Sequence, residues 1–109
     1  IKYATTPTTI IYDRPLHVAE NLIAEDNSIG IRVVRGGFVN KLIKKFKKPI
    51  VSTSANLTGK ATPNNFKEIN KSIIEGVDYV VPLNQNNKSS KPSSIIKIET
   101  NGSVSVIRK

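Results

Sequence analysis

The sequence contains no cysteine, methionine or tryptophan, and only 6% of its residues are aromatic. Without cysteine there can be no disulfide, thiolate metal site or cysteine nucleophile, and the chain suits the cytoplasm. The single histidine, His17, cannot build a multi-histidine metal site and reads as an ordinary helix-surface residue. No apolar run approaches the roughly 18 residues of a membrane span, and no signal-peptide pattern is present. The phosphate-cradling motifs Gly-x-x-x-x-Gly-Lys-Ser/Thr and Gly-x-Gly-x-x-Gly are also missing. Acids are scarce, at 8 against 17 lysines and arginines, and no acid pair suggests general acid–base work.

What is present is enough for one modest domain: 109 residues, 38% of them hydrophobic. The net charge of +9 attracts polyanions such as RNA and nucleotides, or simply solvates a lysine-rich surface. The chain opens at Ile1 without methionine, as expected of a piece of a longer or processed protein.

Residues 7–12 are rich in β-branched side chains and predict a strand, and Leu16, Ala19, Leu22 and Ile23 predict a short amphipathic helix. In residues 28–34, Ile29, Ile31 and Val33 alternate with Ser28, Gly30 and Arg32, which predicts a strand with an apolar and a polar face. Phe38, Val39, Leu42, Ile43 and Phe46 predict a helix with Lys41, Lys44, Lys45 and Lys48 opposite. Pro49 ends it. A strand is expected from Ile50, with Ser52, Ser54 and Asn56 on one face by period two. Thr62-Pro63 predicts a capped helix start, with Phe66, Ile69, Ile73 and Ile74 as its buried stripe. Residues 77–82 predict a strand and 83–92 a polar, lid-like loop. Residues 93–99 and 103–109 predict a hairpin through Asn101-Gly102. At least five strands and three helices are therefore expected, in a layered α/β or α+β domain with a mixed sheet.

The chemistry these residues support is binding. Arg32 suits a carboxylate or phosphate, and the hydroxyls and amide of residues 52–56 suit phosphate or sugar. Thr62, at an expected helix N-terminus, would add free N–H groups.

Four stretches then carry a resemblance: Ser28-Ile29-Gly30-Ile31-Arg32-Val33, the run from Lys48 through Ser52-Thr53-Ser54-Ala55-Asn56-Leu57-Thr58-Gly59, Pro92-Ser93-Ser94-Ile95-Ile96, and Val106-Ile107-Arg108. Together they resemble the YrdC/TsaC family of L-threonylcarbamoyladenylate synthases. The resemblance implies an α+β fold, a three-layer α/β/α arrangement with helices packed on a twisted mixed sheet. It implies that ATP, L-threonine and bicarbonate give threonylcarbamoyl-AMP and pyrophosphate, for transfer by partner proteins to adenosine 37 of tRNA. Mg2+ would accompany ATP. By matching position, Ser28, Ser54, Asn56, Thr62 and Arg108 are expected to contact ATP, and Arg32, Ser52 and Ser93 to contact threonine. No residue is expected to act as a covalent catalyst, none to ligate a metal, and no membrane is involved.

Residues 1–109 would form the C-terminal portion of the family's domain. The family's Lys-x-Arg signature is absent, so these residues alone are expected to be catalytically weak or inactive. Two alternatives stand beside the synthase. One is a non-enzymatic module that binds double-stranded RNA or tRNA through Lys41, Lys44 and Lys45. The other is a paralogue with a different nucleotide-dependent reaction.

Overall fold

The computed structural model describes residues 5–89 and 91–109. The chain divides into two compact units, Ile1–Lys48 with Pro92–Lys109, and Pro49–Lys91.

The first unit is built on a 4-stranded mixed sheet in the order β2-β1-β3-β4. The strands are β1 (Thr8–Asp13), β2 (Ser28–Arg32), β3 (Ser94–Ile98) and β4 (Val104–Arg108). β1 pairs antiparallel with β2 and parallel with β3, and β3 pairs antiparallel with β4. The last two strands form the hairpin expected from Asn101-Gly102. Gly102 has φ of 84°, which glycine adopts without strain, and the Asn101 side-chain oxygen accepts from the Ser103 N–H at 2.9 Å.

Helix α1 (Gly37–Phe46) also matches expectation. It closes at Lys47, whose left-handed backbone (φ 60°) lets its N–H reach the Ile43 carbonyl at 2.8 Å. Lys44 and Lys45 sit in the last turn, where cations oppose the helix dipole.

The helix expected over residues 16–23 is reduced to a 3-10 turn at Glu20–Leu22. His17 lies in the left-handed region (φ 59°), which interrupts helical backbone just where the periodicity begins. His17 is exposed, but not on a regular helix.

In the second unit the strands expected at 50–56 and 77–82 do not form. Val51 and Tyr79 are 68% and 74% exposed. β-branched residues fit a pleated surface, but a strand also needs a neighbour to satisfy its ladder, and neither segment has one among the described residues. The period-two argument for Ser52, Ser54 and Asn56 lapses with the strand.

The helix expected from Thr62 is broken into a 3-10 turn at Phe66–Glu68 and helix α2 (Lys71–Gly76). Two asparagines explain the break. Asn65 accepts from the Lys67 N–H and Asn70 from the Ser72 N–H, so each starts a new element and neither is spanned by one. Thr62 is exposed and caps nothing. The described residues thus hold four strands and two α-helices, and the α+β class with a mixed sheet is as expected.

Among the described residues Ile10, at 2% exposure on β1, is the one buried apolar side chain. Replacing it with alanine should destabilise the fold by about 2–5 kcal/mol in chemical denaturation, the range for deleting a buried isoleucine. A loss below about 1 kcal/mol would mean that the sheet does not depend on this side chain.

Candidate functional site

Successive residues of a strand point to opposite faces, and cross-strand partners share a face. The register therefore sorts the sheet. Ile10 is aligned with Ile31, with Ile96 and, through it, with Val106, so these four define one face. Thr9 is aligned with Arg32, with Ile95 and, through it, with Arg108, which define the other. Ser28 opposite Asp13, Gly30 opposite Ile11, and Lys97 opposite Ile11 and Ser105 lie on this second face too.

Arg108 reaches it only through an irregularity. Between Ile96 and Ile95 the register shifts, and β4 advances from Val106 to Arg108 while β3 advances one residue. Strict alternation would have put Arg108 on the face of Ile10. The bulge re-aims it. Gly30 sits close under its neighbour: a Cβ would stand 3.3 Å from the Thr9 methyl carbon, a tight contact that Thr9 would have to yield to.

One end of this face holds the arginines. Ser93, 8% exposed just before β3, has its hydroxyl 2.6 Å from that of Thr9. Its carbonyl accepts from Arg108 Nε at 3.0 Å and Nη2 at 2.7 Å. Arg32 lies beyond Thr9 and is exposed. Sequence reasoning placed Ser28, Arg32, Ser93 and Arg108 in the site, and the sheet brings all four to one face.

The other end holds acids. Ser28, 6% exposed, donates its hydroxyl to Asp26 Oδ1 at 2.6 Å, and its backbone N–H donates to the same oxygen at 3.2 Å. The Ser28 hydroxyl, more than any other influence, holds the Asp26 carboxyl below the usual carboxylate range. The Lys97 ammonium is 3.9 Å from Asp13 Oδ1, 3.9 Å from Asp26 Oδ2 and 3.8 Å from Glu99 Oε1. Asp13, Asp26 and Lys97 border a hollow of about 300 Å³ that also takes in Arg14, Asn27 and Thr100. The two ends are separated by the length of β2, about 13 Å at 3.3 Å per residue.

Asp26, Lys97 and Thr9 were missed by sequence reasoning. An aspartate two residues before a serine is a turn signal that could have revealed Asp26. Thr9 and Lys97 become visible only once the pairing is known.

In the second unit, Ser52, Ser54 and Thr62 are exposed. Asn56 is differently placed. Its Nδ2 donates to the Leu57 carbonyl at 3.1 Å and the Lys60 carbonyl at 3.0 Å, and its Oδ1 is buried without a partner. Both donor hydrogens therefore clamp the turn that runs through Gly59 (φ 76°). Asn56 borders a cavity of about 160 Å³ with Leu57, Lys60, Pro63 and Glu68. The Asn64 backbone N–H, then its side-chain amide, hold the Glu68 carboxyl below its usual range. The expected lid-like loop is tied back through Ser89, whose hydroxyl donates to the Pro63 carbonyl at 2.9 Å. Lys41, Lys44 and Lys45 are exposed on α1. Among the described residues no group of three or more His, Asp or Glu is placed to hold a metal ion, and no helix is long and apolar enough to cross a membrane.

Comparison with known proteins gives one consistent result. The model of the Sua5, YciO and YrdC family, described as "Telomere recombination", matches residues 2–109. A Methanocaldococcus jannaschii protein named "Putative threonylcarbamoyl-AMP synthase" is 36% identical over 105 residues, covering 96% of this chain and 48% of its own. Proteins named "Threonylcarbamoyl-AMP synthase" from Buchnera aphidicola subsp. Baizongia pistaciae and Pseudoalteromonas translucida are 35% and 34% identical. They cover 88% and 94% of this chain, and 53% and 54% of their own. The chain thus spans about half the length of these curated relatives. No solved structure matches significantly.

The Asp26 carboxylate has a testable signature. Because its folded value is depressed, its stabilisation is present above the unfolded value and is lost as pH falls through the folded one. In an NMR titration the Ser28 amide proton should shift at a pH below the usual carboxylate range, and Asp26→Ala should abolish that step. A midpoint in the ordinary range would contradict the bond to Ser28.

Proposed function

The chain belongs to the Sua5, YciO and YrdC family, and on that premise we propose that it supplies part of the site of a threonylcarbamoyl-AMP synthase. The observation that carries the proposal is that Ser28 and Arg32 on β2, Ser93 just before β3 and Arg108 on β4 share one sheet face. The names of the relatives support the same reading.

The substrates are ATP, L-threonine and bicarbonate. Threonine and bicarbonate condense to a carbamate with loss of water. A carbamate oxygen then attacks the α-phosphorus of ATP, and the bond to pyrophosphate breaks. Chemistry of this kind is accelerated mainly by holding the reactants in line and stabilising charge.

Arg32 is assigned to the threonine carboxylate, which a guanidinium fork grips bidentately. Ser93 and Ser52 are assigned to the same amino acid. Ser28, Ser54, Thr62 and Arg108 are assigned to ATP. Arg108 has its Nε and Nη2 on the Ser93 carbonyl, which couples an ATP-side cation to a threonine-side serine. Asn56 serves by shaping the turn that follows Ser54, since both its donor hydrogens are spent on carbonyls.

The triphosphate needs more cations than these. We assign them to a Lys-x-Arg segment outside these 109 residues, so that this portion alone would be inactive. Mg2+ would come with the nucleotide, held by its phosphates. The described residues offer no carboxylate cluster for it, and no step here runs through it. The product would be handed to partner proteins for transfer to tRNA, in the cytoplasm where ATP and tRNA meet.

The test is pyrophosphate release by the complete protein supplied with ATP, bicarbonate and threonine. Release should depend on threonine, and release no greater than in the threonine-free control would refute the synthase. Arg32→Ala should raise the KM for threonine about tenfold or more, the loss expected for a bidentate charge-assisted bond, with a smaller effect on the KM for ATP.

A further inference from the structure

We infer that Asp26 is a positioning residue that turns Ser28 into a hydrogen-bond acceptor, so that the group of ATP it meets is a donor of the nucleoside and not a phosphate. The inference deepens the synthase reading and rests on the assignment of Ser28 to ATP.

A serine hydroxyl has one hydrogen to give and two lone pairs with which to accept. The Ser28 hydrogen is directed to Asp26 Oδ1 at 2.6 Å. Asp26 can only accept while it is ionised, and three features keep it so. The Ser28 hydroxyl and N–H both point at it, and Lys97 stands 3.9 Å from its other oxygen. Lys97 also stands 3.9 Å from Asp13 on β1 and 3.8 Å from Glu99 after β3. Ser28 is 6% exposed, so its hydroxyl has little solvent to exchange partners with.

At neutral pH the phosphates of ATP offer oxygens that accept and hydrogens that are gone. They find no partner in a hydroxyl already committed as a donor. They also face three carboxylates against two cations, the Lys97 ammonium and the Arg14 guanidinium that borders the same hollow. The donors of ATP are its ribose hydroxyls and its exocyclic amine. Either could be seated on the Ser28 oxygen, while the phosphates are directed toward the arginine end, about 13 Å away along β2. Ser28 and its aspartate would thus set the direction in which the nucleotide lies.

The experiment measures Kd by calorimetry on the complete protein for ATP, 2′-deoxy-ATP, 3′-deoxy-ATP and N6,N6-dimethyl-ATP. Wild type should bind one of these analogues about fivefold more weakly than ATP, the effect of one neutral hydrogen bond, and the analogue identifies the donor. Ser28→Ala should bind ATP and that analogue alike, while Ser28→Thr, which keeps the hydroxyl, should restore the gap. Asp26→Ala should narrow it, because the freed hydroxyl can then donate. Equal binding of all four ligands by wild type would overturn the inference while leaving the synthase standing. So would a Ser28→Ala defect of the same size for every ligand, which marks a purely structural serine. An undiminished gap in Asp26→Ala would remove Asp26 from the role. If wild type binds no ATP, the synthase reading falls and this inference with it.

Discussion

The register of β1 against its two neighbours is the constraint on which the rest depends. A slip of one residue would exchange the two faces, sending Ile10 to the side of Arg32 and Arg108 and Thr9 to the opposite one. The antiparallel pairing with β2 fixes Arg32 beside Thr9, and the parallel pairing with β3 fixes Ile95 on Thr9's other side. Ile10, the most buried apolar residue of the sheet, holds that register from the opposite face. One apolar side chain and a ladder of backbone bonds thus decide which polar groups share a face.

The face so defined is electrically divided. At one end Arg32 and Arg108 stand with Ser93 and Thr9; at the other, Lys97 is shared among Asp13, Asp26 and Glu99. Much of its hydrogen-bonding capacity is already spent within the protein. Arg108 is anchored on the Ser93 carbonyl and Ser28 on Asp26. Such commitments cost flexibility and give direction, which is what the proposed reaction, run on positioning, would require.

The sheet was largely legible in the sequence. Alternation in residues 28–34 separated Ser28 and Arg32 from the isoleucines, and Asn101-Gly102 announced the hairpin. What alternation could not reveal was the bulge in β4, because an extra residue leaves no periodic trace; the resemblance named Arg108, which strict period counting would have put on the opposite face. The second unit was legible in its residues and not in its backbone. Its β-branched runs found no strand to pair with, and Asn65 and Asn70 cut a helix that the isoleucine spacing suggested was continuous. Asn56 stood out by sequence as a ligand residue, yet its amide is turned inward on a loop. A side chain's internal partners are tertiary information, and no spacing encodes them.

The most direct measurement of the central claim is methyl NMR of the complete protein with labelled isoleucines, titrated with ATP and threonine. Ile11 and Ile95 lie on the face of Arg32 and Arg108, whereas Ile10 and Ile96 lie on the opposite one. The account predicts that the methyls of Ile11 and Ile95 shift while those of Ile10 and Ile96 stay in place. Shifts confined to Ile10 and Ile96 would put the ligand on the wrong side of the sheet and contradict it.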